Sequence, residues 1–221
     1  MSISIVTIRG QLESGAPEVG KEVADKLQAD YVDREIIAEV AARLERQEQE
    51  VIEKEMPPST LLGRIAEALK IGYVFGDGMA GAYLPVGQVP LADSRYLGAL
   101  EAVITEVARS RSKPLVISGR GSQFILRNYS GILHVLVAAP PEVRLKRVME
   151  RLKLDPEAAR QETIRYDNSL REFFKRYFKV DPEEPVHYDL IVNTGRFSFE
   201  AAASIVVDAL PFKSLGNEKS S

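Results

Sequence analysis

Gly10 and Gly15 bracket a short stretch, Gly10-Gln11-Leu12-Glu13-Ser14-Gly15-Ala16-Pro17, with the separation that two glycines have in the phosphate-binding pattern G-x-x-x-x-G-K-[ST]. Ala16 and Pro17 stand where that pattern has its lysine and its hydroxyl residue. A backbone cradle for phosphate survives such a change, whereas the lysine charge and the metal-holding hydroxyl do not. Pro17 removes one more N–H, at a position in the first turn of a helix where proline is well tolerated because that N–H has no intrahelical partner. Glu13 would repel phosphate oxygens unless its carboxylate points outward or helps to hold a metal. An ordinary strand-to-helix turn is the alternative reading of the same residues.

Arginines supply the second signal. Gly119-Arg120-Gly121 flanks a charged side chain with two residues that let backbone and ligand approach closely. Arg144, Arg147 and Arg151 recur at helical spacing and share one face. Arg165, Asp167 and Arg171 place an acid among bases, a set in which the carboxylate can hold a ribose hydroxyl while the guanidinium groups hold phosphate. Forked, permanently charged donors converging on one place are what phosphoryl transfer requires, because charge spreads over several oxygens. Each has a plainer explanation too. The 144–151 stripe reads equally as a solvated face paired with Glu142 and Glu150, and Asp33, in Asp33-Arg34-Glu35, as a helix cap rather than a substrate contact. Phe174 and Phe178 read as core.

The elements that must position these groups follow from hydrophobic patterning. Continuous apolar runs at residues 3–8, 30–32, 114–118, 132–138 and 188–193 read as strands; helical periodicity occupies 18–27, 34–54, 59–72, 94–112, 140–152, 156–178 and 198–209. Buried strands alternating with helices imply a parallel sheet covered on both faces, with ligand bound beyond the carboxyl ends of the strands. The glycine- and proline-rich stretch from Gly72 to Pro90 reads as a long loop, and residues 212–221 as a disordered tail. Charged residues make up 28% of the 221 residues and the net charge is −3, which argues against nucleic acid as the main partner. With no cysteine, no disulfide framework exists, and no apolar run approaches the roughly 18 residues of a membrane span. The N-terminus lacks the pattern of a secretory signal, so cytoplasmic residence is expected. His134 and His187 are expected to be structural rather than metal ligands.

Taken together, Asp33-Arg34-Glu35-Ile36, the run from Val116 to Gly121, the run from Ala138 to Val148 and Tyr188-Asp189-Leu190-Ile191-Val192-Asn193-Thr194 resemble the successive motifs of the cytidylate-kinase-like family, a divergent branch of the P-loop nucleoside monophosphate kinases. The resemblance runs from about Ile3 to Leu210. It implies a three-layer α/β P-loop kinase-like fold, a five-stranded parallel sheet in the order 2-3-1-4-5. A helical substrate-binding insertion would follow strand two, and an arginine-bearing lid strand four. On that pattern residues 1–211 form one kinase-like domain: core 1–33, 94–140 and 186–211, insertion 34–93, lid and following helix 141–185. It implies ATP and Mg²⁺ as cofactors. The donor would lie on Gly10, Ser14, Gly15, Ala16, Arg144 and Arg147, and a nucleotide or other small acceptor on Asp33, Arg34, Arg120, Arg165 and Asp167. Arg120, Arg144, Arg147 and Arg171 would stabilise the transferred charge, with no metal ligand assigned to the protein itself. The family loop reads Ser-Gly-Gly and then a basic residue; here it is Ser14-Gly15-Ala16-Pro17, and Leu170 stands where the family has an arginine, with Arg171 adjacent.

Overall fold

The computed structural model describes residues 5–43, 93–110 and 112–216. The expected helix at 59–72, the loop from Gly72 to Pro90, the polar run beyond Arg43 and residues 217–221 lie outside them.

Five strands form one sheet: β1 (Ile5–Gly10), β2 (Asp30–Val32), β3 (Leu115–Ser118), β4 (Ile132–Ala138) and β5 (Leu190–Asn193). All pairings are parallel and the order is β2-β3-β1-β4-β5, as the resemblance implied. Val6 pairs with Val116 and Leu133, so alternate residues of the three central strands share one face. On that face Val6, Ile8, Val116, Leu133, Val135 and Val137 pack against α1 (Ala16–Leu27) and α7 (Phe199–Gly216). α1 contributes Val19, Val23 and Ala24, and α7 contributes Ala202, Ala203 and Val206; the small α7 side chains let the two helices lie against each other.

The opposite face is more polar. Ile5, Thr7 and Arg9 alternate along β1, and Thr7 sits in register with His134 of β4. Thr7 Oγ1 lies 2.7 Å from His134 Nδ1, so this histidine is a satisfied core residue, as expected.

The remaining helices are α2 (Arg34–Arg43), α3 (Asp93–Arg109), the single turn α4 (Ser122–Ile125), α5 (Pro141–Leu152) and α6 (Pro156–Tyr177). Asp155 caps α6, its carboxylate accepting from the Glu157 and Ala158 N–H groups at 3.0 Å, and Pro156 follows in the first turn. Two expectations are corrected. β1 runs on to Gly10, past the expected end at Ile8, because Arg9 is buried and pairs in the ladder with Leu136. α7 continues to Gly216, through Pro211 and past Phe212, where a disordered tail was expected, since proline costs a helix one hydrogen bond without ending it in every setting.

The chain forms two compact units. One comprises Met1–Val32, Ile104–Arg144 and Glu183–Ser221 and holds the whole sheet; the other comprises Asp33–Val103 and Leu145–Pro182. In the second, α6 buries Tyr166, Phe173 and Phe174, and Phe173 meets the rings of Phe174, Tyr177 and Phe178 at centroid distances of 4.8 to 6.0 Å. The core reading of Phe174 holds; Phe178 is half-buried.

Candidate functional site at the carboxyl ends of the strands

β1 and β4 are neighbours whose outgoing connections lead toward opposite edges of the sheet, β1 to β2 and β4 to β5. Such a point is where open parallel sheets bind ligands. The loop that leaves β1 there is tightly built. A side chain on Gly10 is excluded, because a Cβ would lie 1.9 Å from Ser14 Oγ and 2.7 Å from the Val137 carbonyl oxygen. Gly15 has φ 87° and caps α1, and a Cβ on it would lie 2.3 Å from the Phe199 ring. Both glycines are therefore required by the backbone path. Leu12 and Ser14 are fully buried and Ala16 nearly so. The Ser14 hydroxyl is turned in against Gly10, so what the loop presents to a ligand is its main chain and the first turn of α1, where N–H groups have no intrahelical partner.

Three contacts hold this main chain in place. Ser14 N–H donates to the Gln11 carbonyl at 3.0 Å, closing the turn. Thr194, just beyond β5, donates through Oγ1 to the Ser14 carbonyl at 2.5 Å, while its N–H donates to Ala138 at the end of β4. Arg144, in the first turn of α5, is 4% exposed and donates from Nε to the Leu12 carbonyl at 2.7 Å. A solvated face therefore does not describe Arg144; its guanidinium is buried against the loop backbone. Lys146 and Glu150 form the exposed pair on that helix instead.

Glu13 is the discordant residue. It is only 7% exposed and has φ 57°, a left-handed conformation unfavourable for a residue with a Cβ. Its carboxylate does not point out into solvent.

Next to β1, the turn after β3 has φ of 68°, 58° and 72° at Gly119, Arg120 and Gly121. Three successive left-handed residues, the middle one an arginine, store strain of about 1 kcal/mol at Arg120 alone, and such strain concentrates at functional positions. The turn is fastened to β1 by Gly119 N–H, which donates to the Ile8 carbonyl at 2.8 Å. Ser122 follows with its hydroxyl fully buried and without a hydrogen-bond partner among the described residues.

Gly10, Ser14, Gly15, Ala16, Arg120 and Arg144 thus gather in the sheet unit at the ends of β1, β3 and β4. Asp33, Arg34, Arg147, Arg165, Asp167 and Arg171 belong to the second unit. There, Asp33 is 3% exposed and its N–H donates to Glu35 Oε2 at 3.1 Å; Arg34 opens α2. Arg165 is paired with the buried Glu162 one turn back on α6. Arg147 and Asp167 are half-buried, and Arg171 is exposed, with Nη1 3.4 Å from Asn168 Oδ1.

Two residues were given no role by the sequence reading. Thr194 stood in the motif at residues 188–194 without an assignment of its own. Arg9 fell outside the strand as drawn; a charged residue continuing a buried parallel strand was the available signal. Arg9 is 4% exposed and donates from Nη1 to the Tyr188 hydroxyl at 2.9 Å and from Nη2 to Glu183 Oε1 at 2.7 Å. Burial alone would lower its pKa, but Tyr188 and Glu183 together outweigh burial and raise it. Burial pushes the Tyr188 hydroxyl up, against the opposing pull of Arg9. Among the described residues no group of three or more His, Asp or Glu side chains is placed to hold a metal ion.

An all-parallel 2-3-1-4-5 sheet with a tight glycine-bracketed loop after its first strand is an α/β architecture of the P-loop kinase kind. Comparison with known proteins narrows this: the chain belongs to the cytidylate kinase-like family, whose description matches residues 5–196. A cytidylate kinase of Halobacterium salinarum is 28% identical over 160 residues, 69% of this chain and 82% of that protein. A cytidylate kinase of Archaeoglobus fulgidus is 33% identical over 106 residues, 48% of this chain and 57% of that protein. Among solved structures, an uncharacterized protein from Eubacterium ventriosum superposes with a TM-score of 0.65 at 16% identity, over 94% of this chain and 98% of that one. That likeness is one of fold.

Proposed function

We propose that this protein transfers the γ-phosphoryl group of ATP to a nucleoside monophosphate or another small acceptor, most simply a CMP-like pyrimidine monophosphate. The observation that carries the reading is the rigid loop from Gly10 to Ala16 at the β1/β4 switch point, its main chain pinned by Arg144 and Thr194 and presented at a helix N-terminus. The family membership and the relatives named cytidylate kinase support it.

In this reading an acceptor phosphate oxygen attacks the γ-phosphorus while the bond from that phosphorus to the β,γ-bridging oxygen breaks, and ADP leaves. The protein contributes position and charge rather than covalent chemistry. The main chain from Gly15 into the first turn of α1, behind the fixed Ser14 turn, holds donor phosphates, and Arg144, already held against that loop, adds the cationic charge that Ala16 cannot supply. Arg120 receives the acceptor phosphate. Arg147 and Arg171 stabilise the transferred group, and Asp33, Arg34, Arg165 and Asp167 orient the acceptor. Mg²⁺ bound with ATP would supply further neutralising charge for the donor phosphates. Cytoplasmic residence remains part of this reading; among the described residues no helix is long and apolar enough to cross a membrane.

A second reading is favoured by Glu13, which is buried in the loop with Ala16 and Pro17 beside it: a degenerate relative that binds nucleotide without turning it over and uses binding to sense or to engage a partner. One experiment separates the two. Melting temperature and ADP release are measured with Mg-ATP alone and with each nucleoside monophosphate in turn. ADP release with one acceptor establishes the kinase. Stabilisation without ADP establishes the sensor, and no effect of any nucleotide sinks both.

A further inference from the structure

The chain leaves the sheet unit after Arg144 and re-enters it at Glu183. Both junctions are tied to one stretch of four residues. At the exit, Arg144 holds the Leu12 carbonyl at 2.7 Å. At the return, Arg9, the residue before Gly10, holds Glu183 at 2.7 Å and Tyr188 at 2.9 Å. The return segment also meets the element that follows the Arg120 turn: Tyr188 lies beside Gln123 of α4, and the His187 ring stands edge-on to Phe124 at 5.1 Å. One buried guanidinium therefore connects the strand feeding the phosphate loop to a segment that also packs on the neighbouring turn.

Stability alone explains this poorly. Desolvating the Arg9 guanidinium, opposite a Glu183 side chain that stays 28% exposed, costs enough that a well-packed apolar replacement commonly serves as well. A fixed geometry at the last residues of β1 is what the pair does supply. The Arg9 guanidinium ties the returning chain, through Glu183 and Tyr188, to the strand residue that precedes Gly10.

We propose that Arg9 is a positioning residue for the donor-phosphate loop, acting through Glu183 and Tyr188 to fix the loop's entry. The functional consequence rests on the phosphotransferase reading; the mechanical one does not. The test compares Glu183→Ala, Glu183→Gln and Tyr188→Phe with the unaltered protein. Amide exchange is followed residue by residue in the nucleotide-free protein, and Mg-ATP affinity by calorimetry. In Glu183→Ala, exchange at Glu13 to Ala16 should quicken by about tenfold or more while β4 amides from Leu133 to Val137 stay unchanged. The Mg-ATP dissociation constant should rise about tenfold, with KM for the acceptor kept. Glu183→Gln, which keeps an oxygen acceptor, should recover most of both. Should Glu183→Ala fail to fold, Tyr188→Phe removes a single hydroxyl and should move both readouts in the same direction by a smaller factor. Unchanged loop exchange in folded variants that merely melt earlier would overturn the proposal and leave the pair a stabilising contact. Absence of Mg-ATP binding by the unaltered protein would sink the phosphotransferase reading alone, since loop exchange still decides the role of Arg9.

Discussion

Arg120 separates two demands placed on one residue. Its φ of 58° suits glycine, yet the side chain is an arginine. Replacing it with alanine keeps the backbone strain and removes the guanidinium; replacing it with glycine removes both. Arg120→Gly should therefore be more stable than Arg120→Ala by about 1 kcal/mol in denaturant unfolding. Both should lose phosphate-dependent binding of the acceptor alike, and unchanged acceptor affinity would remove Arg120 from the site. Tyr188 makes a pH prediction. Its pKa is raised in the folded protein, so above roughly pH 10 the unfolded chain loses the phenolic proton before the native one does. The native state then binds more protons than the unfolded state, and stability falls as pH climbs from that point through the folded pKa. Melting temperatures between pH 9 and 11 should drop more steeply in the unaltered protein than in Tyr188→Phe. Equal slopes would mean that the hydroxyl is not held neutral by its surroundings.

At the scale of elements, the loop between β1 and α1 is where sequence and structure inform each other most. Its glycine spacing was legible, and so was its place after a buried strand. What spacing could not reveal is how the loop is held, because its anchors come from residue 144 and residue 194, more than a hundred positions away. Arginines three and four apart on α5 looked alike in the sequence; only tertiary packing distinguishes Arg144, buried on the loop, from the half-buried Arg147. The sheet order was carried by family resemblance, not by periodicity, which identifies strands without saying which lie side by side. Local capping, by contrast, is readable: Asp155 before Pro156 and Glu157 is a helix start on any view. Asp155→Ala should cost about 1 kcal/mol in stability, read by chemical denaturation. Gly15→Ala should cost more, about 2 to 3 kcal/mol, since it adds a clash with Phe199 to an unfavourable φ. Combined with Phe199→Ala, the Gly15→Ala increment should shrink toward the backbone part, about 1 kcal/mol; an unshrunken increment would show that the ring is not what the glycine accommodates.

For the molecule as a whole, the division into two units confines the loop from Gly10 to Ala16 to the one that holds the sheet. Ligand binding at that loop stabilises by mass action, by about 2.7 kcal/mol at a hundredfold excess over the dissociation constant. For a chain of this size that amounts to a rise in melting temperature of about 5 to 10 °C, measurable by calorimetry with Mg-ATP. The accompanying slowing of amide exchange should be greatest at the ends of β1 and β4 and in the first turn of α1. Protection confined to the second unit would move the donor site away from the loop.

The loop's own residues are synthesised well before the residues whose contacts give it shape. Gln11 to Ala16 depend on Arg144, Thr194 and Phe199, and Arg9 before them on Glu183 and Tyr188. A ribosome-bound chain ending before β5 would carry every residue of the loop and none of its Thr194 or Phe199 support. If the loop binds nucleotide as proposed, a nascent chain should gain that binding in a single step once the segment through Phe199 has emerged.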